Sequence, residues 1–204
     1  MKIIYFFTLS LMMCYAFANS TLAAVELFEP FDSDILCPKP EGWAVINHST
    51  GCNWIFGSNW ENSTGGENCF VFADSHASCA TGSVDTSLVT PSIDCSSLND
   101  TVLSFNYDAY TESTIPQSVF IVQVSIDGGV WVTHDWQPSD KRALIGPQKA
   151  IVDISLLADG KQDVRIRFRY TATTPWWWQI DNVKVASKFN WLPFMPAIIA
   201  NPTL

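Results

Sequence analysis

The sequence lacks the short motifs that mark the common enzyme classes. It contains no Gly-x-Ser-x-Gly nucleophile elbow, no His-Glu-x-x-His zinc helix and no P-loop. Its three histidines, His48, His76 and His134, are scattered over predicted loops and strand ends. Nothing in the spacing supplies the two opposed carboxylates that a glycosidase needs. The sequence therefore predicts a protein that is not an enzyme.

Positive charge is also scarce. The chain has 11 Lys and Arg against 20 Asp and Glu, which gives a formal net charge of −9 at pH 7. A surface of that sign is repelled by nucleic acid and by anionic lipid. The composition therefore excludes a nucleic-acid partner and favours partners that are neutral, cationic or bridged by a metal ion.

No apolar run is long enough to span a membrane. Lys2 precedes an apolar run over residues 3–15, and Ala16-Phe17-Ala18 supplies a small-x-small cleavage pattern. A spanning helix needs about 20 apolar residues. We therefore predict a signal peptide over residues 1–18, with cleavage as late as residue 23 as the alternative, and a secreted or cell-surface protein. Residues 188–204, with three prolines, are interpreted as a loosely attached tail.

Cys-x-x-Cys pairs are absent, so a metal cluster is a poor interpretation of the cysteines. Five cysteines remain after signal removal, and an exported chain favours disulfides. They are Cys37, Cys52, Cys69, Cys79 and Cys95. Because Cys69 and Cys79 bracket a short segment, we predict that these two pair. The sequence gives no pairing for the other three.

Helical periodicity is rare in the mature chain, whereas strand patterns are frequent. Residues 101–110 alternate apolar and polar positions, and Asp127-Gly128-Gly129 is typical of a tight hairpin. In all, roughly ten or more short strands are expected. We predict a two-sheet antiparallel β-sandwich of the jelly-roll type over residues 25–187.

One predicted strand carries a row of arginines. Arg165, Arg167 and Arg169 alternate with apolar residues over residues 164–170. Alternation of this kind indicates a strand with one buried and one solvated face. We therefore interpret the arginine row as a solvated sheet face.

The most informative stretch is residues 176–185. At a period of two, Gln179 and Asp181 share a face with core valines. A carboxylate there is costly to bury unless a cation, an arginine or a set of backbone N–H groups pairs with it. The preceding Trp176, Trp177 and Trp178 cannot all point inward, so they either stack on sugar rings or pack the end of the sandwich.

Seven segments, in this order, resemble the cleaved-adhesin or choice-of-anchor J jelly rolls, which are distantly similar to MAM domains. They are GWAVIN at 42–47, CNW at 52–54, FADS at 72–75, DTSLVTPSID at 85–94, VSIDGGVW at 124–131, VDIS at 152–155 and WQIDNV at 178–183. The resemblance extends over nearly the whole mature chain, since the segments are spread from residue 42 to residue 183. The resemblance implies an extracellular jelly-roll module that is associated with adhesion or ligand binding and often with structural calcium.

The resemblance also implies a calcium site. In that family a Glu of the first strand and an Asp before the closing valine strand lie near the metal. The matching residues here are Glu29 and Asp181, with Asp74 as a third candidate. We expect a secreted, non-catalytic module that recognises a glycan or an extracellular protein. The alternative is an accessory or structural domain that assembles with a secreted partner and binds no glycan.

Overall fold

The computed structural model describes eleven β-strands and one short helix. It covers residues 25–32, 36–49, 52–57, 61–74, 84–110, 118–134, 136, 138, 146–173 and 177–188. The elements are β1 (Val25–Glu29), β2 (Ala44–Asn47), β3 (Ile55–Gly57), β4 (Phe70–Asp74), β5 (Val84–Val89), β6 (Thr101–Tyr110), β7 (Ser118–Ile126), β8 (Val132–His134), β9 (Gln148–Asp153), α1 (Ser155–Ala158), β10 (Val164–Ala172) and β11 (Trp177–Ser187). The predicted signal peptide and most of the predicted tail lie outside the described residues.

The strands form two antiparallel sheets. The six-stranded sheet has the order β3-β4-β11-β6-β9, with β1 also paired to β11. The five-stranded sheet has the order β2-β5-β10-β7-β8. This architecture confirms the predicted two-sheet antiparallel sandwich of the jelly-roll type. Among the described residues, no helix is long and apolar enough to cross a membrane.

An aromatic core joins the two sheets. Phe105 of β6 packs edge-on against Phe168 of β10, with ring centroids 5.1 Å apart. Trp178 of β11 is fully buried and packs against Phe168 at 6.0 Å. Edge-to-face pairs of this kind each add about 0.5–1.5 kcal/mol beyond the apolar area that they bury. The side chains that alternate with these residues therefore face outward on each sheet.

Strand β11 changes its neighbour halfway along one edge. Its first part pairs with β4, ending at Ile180 opposite Val71, and its later part pairs with β1, where Val183 lies opposite Glu29. Between them the register with β6 shifts, and Asn182 takes a φ of 50°. The bulge therefore falls at Asp181 and Asn182, where the sheet lacks a continuous neighbouring strand.

The disulfide corrects one sequence-based prediction. Cys69 is bonded to Cys37 and not to Cys79, which lies outside the described residues. The reason is topological, since β1 and β4 lie along the same edge of β11 and bring the residues beside them together. Cys52 is also disulfide-bonded, and Cys95 is buried and free.

Candidate functional site

The first candidate site lies under a loop on the outer face of the six-stranded sheet. Gln179 and Asp181 of β11 point away from the core that their neighbours Trp178 and Ile180 enter. Residues 61–68, which we call the cover segment, lie over these two side chains. Ser63 donates its backbone N–H to Gln179 Oε1 at 2.9 Å, and Gln179 Nε2 donates to the Glu61 carbonyl at 3.2 Å. The cover segment therefore closes the sheet where β11 bulges.

Asp181 is fully buried and accepts hydrogen bonds from neutral groups. Asn62 Nδ2 donates to its Oδ2 at 2.8 Å, Thr64 Oγ1 lies 3.3 Å from the same oxygen, and the Asn182 N–H donates to its Oδ1 at 2.6 Å. Burial raises the pKa of Asp181 to about 6, although these hydrogen bonds oppose the rise. Of the partners that the sequence allows for Asp181, namely a cation, an arginine or backbone N–H groups, the structure shows one backbone N–H, together with polar side chains of the cover segment.

The cover segment approaches Asp181 so closely that only glycine fits at one position. A Cβ built on Gly66 would lie 1.9 Å from Asp181 Oδ2 and 2.8 Å from Asn182 Nδ2. Cβ atoms do not tolerate contacts below 3.0 Å, and here the neighbour is a buried carboxylate. The fit between the segment and the sheet is therefore steric as well as polar.

The three predicted calcium ligands do not all meet. Burial raises the pKa of Glu29 and of Asp181, and the negative charge of Asp32 raises both further, so Asp32 lies within electrostatic range of each. Asp74 lies opposite Trp177, four residues before Asp181, which corresponds to about 13 Å along an extended strand. Among the described residues, no three His, Cys, Asp or Glu side chains form a group that could hold a metal ion.

The groups around Asp181 offer a hard cation only some of the oxygen ligands that it selects. The Asp181 carboxylate and the Thr64 hydroxyl are oxygen ligands, whereas Asn62 turns its amide nitrogen toward Asp181 and accepts from Thr64 with its Oδ1. Asn62 would therefore have to turn its amide to bind a cation, and Asp74 lies apart from these groups.

The three predicted ligand-binding tryptophans differ in position. Trp178 lies wholly in the core, so the prediction that it contacts a ligand is wrong, because inward alternation on β11 places it between the sheets. Trp177 is partly exposed, stacks on Tyr110 with centroids 4.7 Å apart, and donates from Nε1 to Asp108 Oδ2 at 2.9 Å. Trp176 lies outside the described residues.

The second candidate site is the outer surface of the five-stranded sheet. We call it the open face and define it by Arg165, Arg167 and Arg169 of β10 with Gln123, Trp131 and Asp85 beside them. The register aligns one row across all five strands at its middle, with Arg167 at the centre. That row is Ala44, Val89, Arg167, Gln123 and Thr133.

Hydrogen bonds fix the polar side chains of the open face. Arg169 makes a bidentate pair with Asp85, at 2.9 and 2.8 Å, which holds the pKa of that carboxyl below its usual range. Arg167 Nε donates to Gln123 Oε1 at 2.7 Å, and the guanidinium carbon lies 4.3 Å from the centroid of the Trp131 ring. Gln123 Nε2 in turn donates to Thr133 Oγ1 at 3.0 Å. The face is therefore organised before any ligand arrives.

Comparison with solved structures identifies the fold. The chain is similar to the K1 cleaved adhesin domain of Lys-gingipain from Porphyromonas gingivalis W83, with a TM-score of 0.52 and 18% identity over 79% of this chain and 97% of that one. The chain has the cleaved-adhesin fold. The K3 cleaved adhesin domain of the same protein gives a TM-score of 0.50 and 17% identity, over 81% of this chain and 99% of that one.

Sequence comparison adds nothing to this assignment, since no protein-family model and no curated protein sequence matches the chain. At the low identities of the adhesin domains, the likeness establishes the cleaved-adhesin fold and leaves the ligand open.

The sequence interpretation missed the organisation of the open face. It treated the arginine row as solvated, but Arg167 and Arg169 are partly buried and held by neighbours on other strands. Two signals were present in the sequence. Gln123 interrupts an otherwise apolar stretch of β7, and the hairpin at Asp127 and Gly128 returns the chain so that Trp131 lies beside β10.

Proposed function

We propose that this chain is a secreted, non-catalytic binding module that recognises a glycan through the open face. The observation that carries the proposal is the set of polar side chains that hydrogen bonds hold in place on neighbouring strands at the outer surface of this sheet. Ligand sites combine a small number of fixed polar groups with aromatic surface, and Gln123, Arg167 and Trp131 supply both. The two similar domains are called adhesins, and the proposal for this chain includes an adhesive role.

The arrangement of the open face favours a hydroxyl-rich ligand. Fixed hydrogen-bonding side chains lie on neighbouring strands, namely Arg167 on β10, Gln123 on β7 and Thr133 on β8. The neighbouring strands repeat about every 4.8 Å, so the donors and acceptors are spaced at about the width of a sugar ring. A glycan lying across the strands would meet a polar group on several of them.

A glycan array with the mature protein tests this proposal. We expect binding that Trp131→Ala weakens by about tenfold, a loss typical of a stacking or hydrogen-bonding contact. Ile151→Ala is the matched control, because Ile151 is an exposed residue on β9 of the other sheet. Retained folding of both variants is checked by circular dichroism. No glycan binding together with a stoichiometric protein partner in a pull-down would favour the accessory-domain alternative instead.

We also propose that Asp181 and Glu29 hold a structural Ca²⁺ with neutral oxygens of the cover segment. A cation would offset the negative charge of Asp32, which raises the pKa of both Asp181 and Glu29. Calcium at a hundred-fold excess over Kd is expected to stabilise the fold by about 2.7 kcal/mol.

Thermal melting in calcium and in EGTA measures the effect, with Asp181→Asn as the variant that loses it and Asp74→Asn as the control that keeps it. Equal melting temperatures for the wild type in both buffers, with no metal by atomic absorption, would show that the protein has no calcium site.

Secretion is part of the proposed function and has its own test. Expression with residues 1–23 intact should give an exported protein whose mass corresponds to cleavage after residue 18 or as late as residue 23. A retained, full-length mass would contradict the signal peptide.

A further inference from the structure

We propose that the ligand of the open face carries an isolated oxyanion, a carboxylate or a sulfate, on its sugar ring, and that Arg167 binds this group. The inference rests on the proposed glycan-binding function and names the class of glycan. It follows from the different surroundings of the three arginines of β10.

Two of the three arginines are already neutralised. Arg165 forms an ion pair with Asp163 at 3.3 Å, and Arg169 forms the bidentate pair with Asp85. Arg167 has no carboxylate within 4.0 Å among the residues that the structure describes. In a chain with 20 acidic residues against 11 basic ones, an arginine without an acidic partner at the centre of a sheet is an open binding position for an anion.

Two contacts hold the guanidinium of Arg167, one through Nε and one through its face. Its Nε donates to Gln123 and its plane lies against Trp131, so neither of these contacts uses the two terminal nitrogens. The planar fork of an arginine matches a carboxylate or sulfate in bidentate geometry. Because Gln123 is itself fixed by Thr133, little side-chain freedom is lost when the ligand binds.

The burial and the charged neighbours of Arg167 also favour an anionic ligand. Partial burial lowers the pKa of Arg167, the positive charge of Arg169 lowers it further, and the negative charge of Asp85 raises it by less. The first two effects disfavour the charge that Arg167 nevertheless carries at neutral pH, because an arginine does not lose its proton in this range. An oxyanion bound to the terminal nitrogens would stabilise the charged form of Arg167.

The surrounding charges indicate one anionic group and not many. Asp85 and Asp163 flank the row, and the protein carries a net charge of −9, so a densely charged polymer would be repelled. A mostly neutral glycan with a single uronate or sulfate fits this pattern. An acidic peptide offers similar anions but has no hydroxyl array for the rest of the row.

Calorimetric titration with matched trisaccharides tests the inference. The probes are a galactotriose, the same trisaccharide with one galacturonate, the methyl ester of that galacturonate, and a mono-sulfated galactotriose. We expect one of the two anionic sugars to bind at least about tenfold more tightly than the ester and the neutral sugar, as charged hydrogen bonds require. The carboxylate and sulfate arms distinguish the two anions.

Variants assign the effect to its residue. Arg167→Gln should abolish the preference for the anionic sugar, and Lys149→Gln, which also removes a positive charge but lies exposed on β9 of the other sheet, should keep it. Equal binding of neutral and anionic sugars by the wild type would overturn the inference while leaving the glycan function intact. Absence of binding to every sugar, or preferential binding of an acidic peptide, would overturn both, and the comparison of sugars on the wild type does not depend on the folding of any variant.

Discussion

The two sheets differ in how far they bury an ionisable side chain at their middle. On the six-stranded sheet, Asp181 is sealed beneath the cover segment and touches only neutral donors. On the five-stranded sheet, Arg167 also lies at the middle of a sheet, but it is only partly buried and donates from Nε to Gln123. The comparison shows that the segment above a sheet, as well as the strand below it, decides how far an ionisable side chain is buried.

The energetic consequence differs between the two sites. Burial moves the pKa of Asp181 upward and that of Arg167 downward, and each shift favours the uncharged form. For Asp181 the shift reaches the range of ordinary solution pH, so charge and fold stability are coupled. Arginine remains charged throughout that range, so Arg167 keeps its charge for a ligand.

Removing the disulfide should have the largest effect, and it should act on the site formed by Asp181 and the cover segment, which we call the closed site. Cys37 and Cys69 are 32 residues apart, and a loop of that length predicts a loss of about 4 kcal/mol in the Cys37→Ser, Cys69→Ser variant. Cys69 directly follows the cover segment, so the loss should be accompanied by faster amide exchange over residues 61–68. Urea unfolding measures the stability. Unchanged stability would show that hydrogen bonds alone hold the cover segment.

The closed site should also give a characteristic pH dependence in EGTA. Since the pKa of Asp181 rises from 3.8 to about 6, the folded state keeps a proton that the unfolded state has released. The contribution of Asp181 to the free energy of unfolding should therefore fall by about 3 kcal/mol as pH rises from about 4 to about 6, and the difference between wild type and Asp181→Asn measures it.

Asp181→Asn is the reference for this dependence, because it removes this titrating group and keeps the other carboxyls. A stability difference between the two proteins that stays constant over the same interval would contradict the raised pKa.

Gly66→Ala tests whether the cover segment seals Asp181 sterically. The added methyl would lie 1.9 Å from the carboxylate, so the segment must move, at a cost of about 1–3 kcal/mol. The displaced segment should admit water, so the pH dependence of Asp181 should shrink as well. Gly128→Ala, at a hairpin position with open space around it, should leave that pH dependence unchanged. Identical pH profiles for wild type and Gly66→Ala would show that the segment does not set the pKa.

The smallest effect is expected at the open face. Asp85 and Arg169 are both partly exposed, so Asp85→Asn should lower stability by less than about 1 kcal/mol. The same change frees a second arginine beside Arg167 and should tighten binding of the anionic sugar. Weaker binding in Asp85→Asn would mean that the ion pair positions Arg169 for the ligand.

The sequence predicts the strands well where alternation is long and poorly where contacts are distant. Residues 101–110 show the alternation of a strand and have the bounds of β6, whereas the three residues of β3 are too few to show any alternation. The sequence also indicated that Asp181 needs a partner. It could not supply Asn62, which is 119 positions away, because tertiary structure alone brings the two together.

The same limit applies to the arginine row. Alternation correctly places Arg165, Arg167 and Arg169 on one face, but it cannot distinguish them. Their difference depends on Asp85, 84 positions from Arg169, and on Gln123, 44 positions from Arg167. Pairing across strands therefore determines which arginine is left for a ligand.

Arginine side-chain NMR spectra during a glycan titration test the central claim most directly, that the open face is the binding surface. The probe is the sugar that binds most tightly in the calorimetric series. We predict that the Arg167 Nε–Hε signal and the backbone amides of β7, β8 and β10 shift together with saturation, while those of residues 61–68 stay in place. Shifts confined to residues 61–68 and Trp177, with Arg167 unchanged, would contradict the claim and move the binding surface to the other sheet.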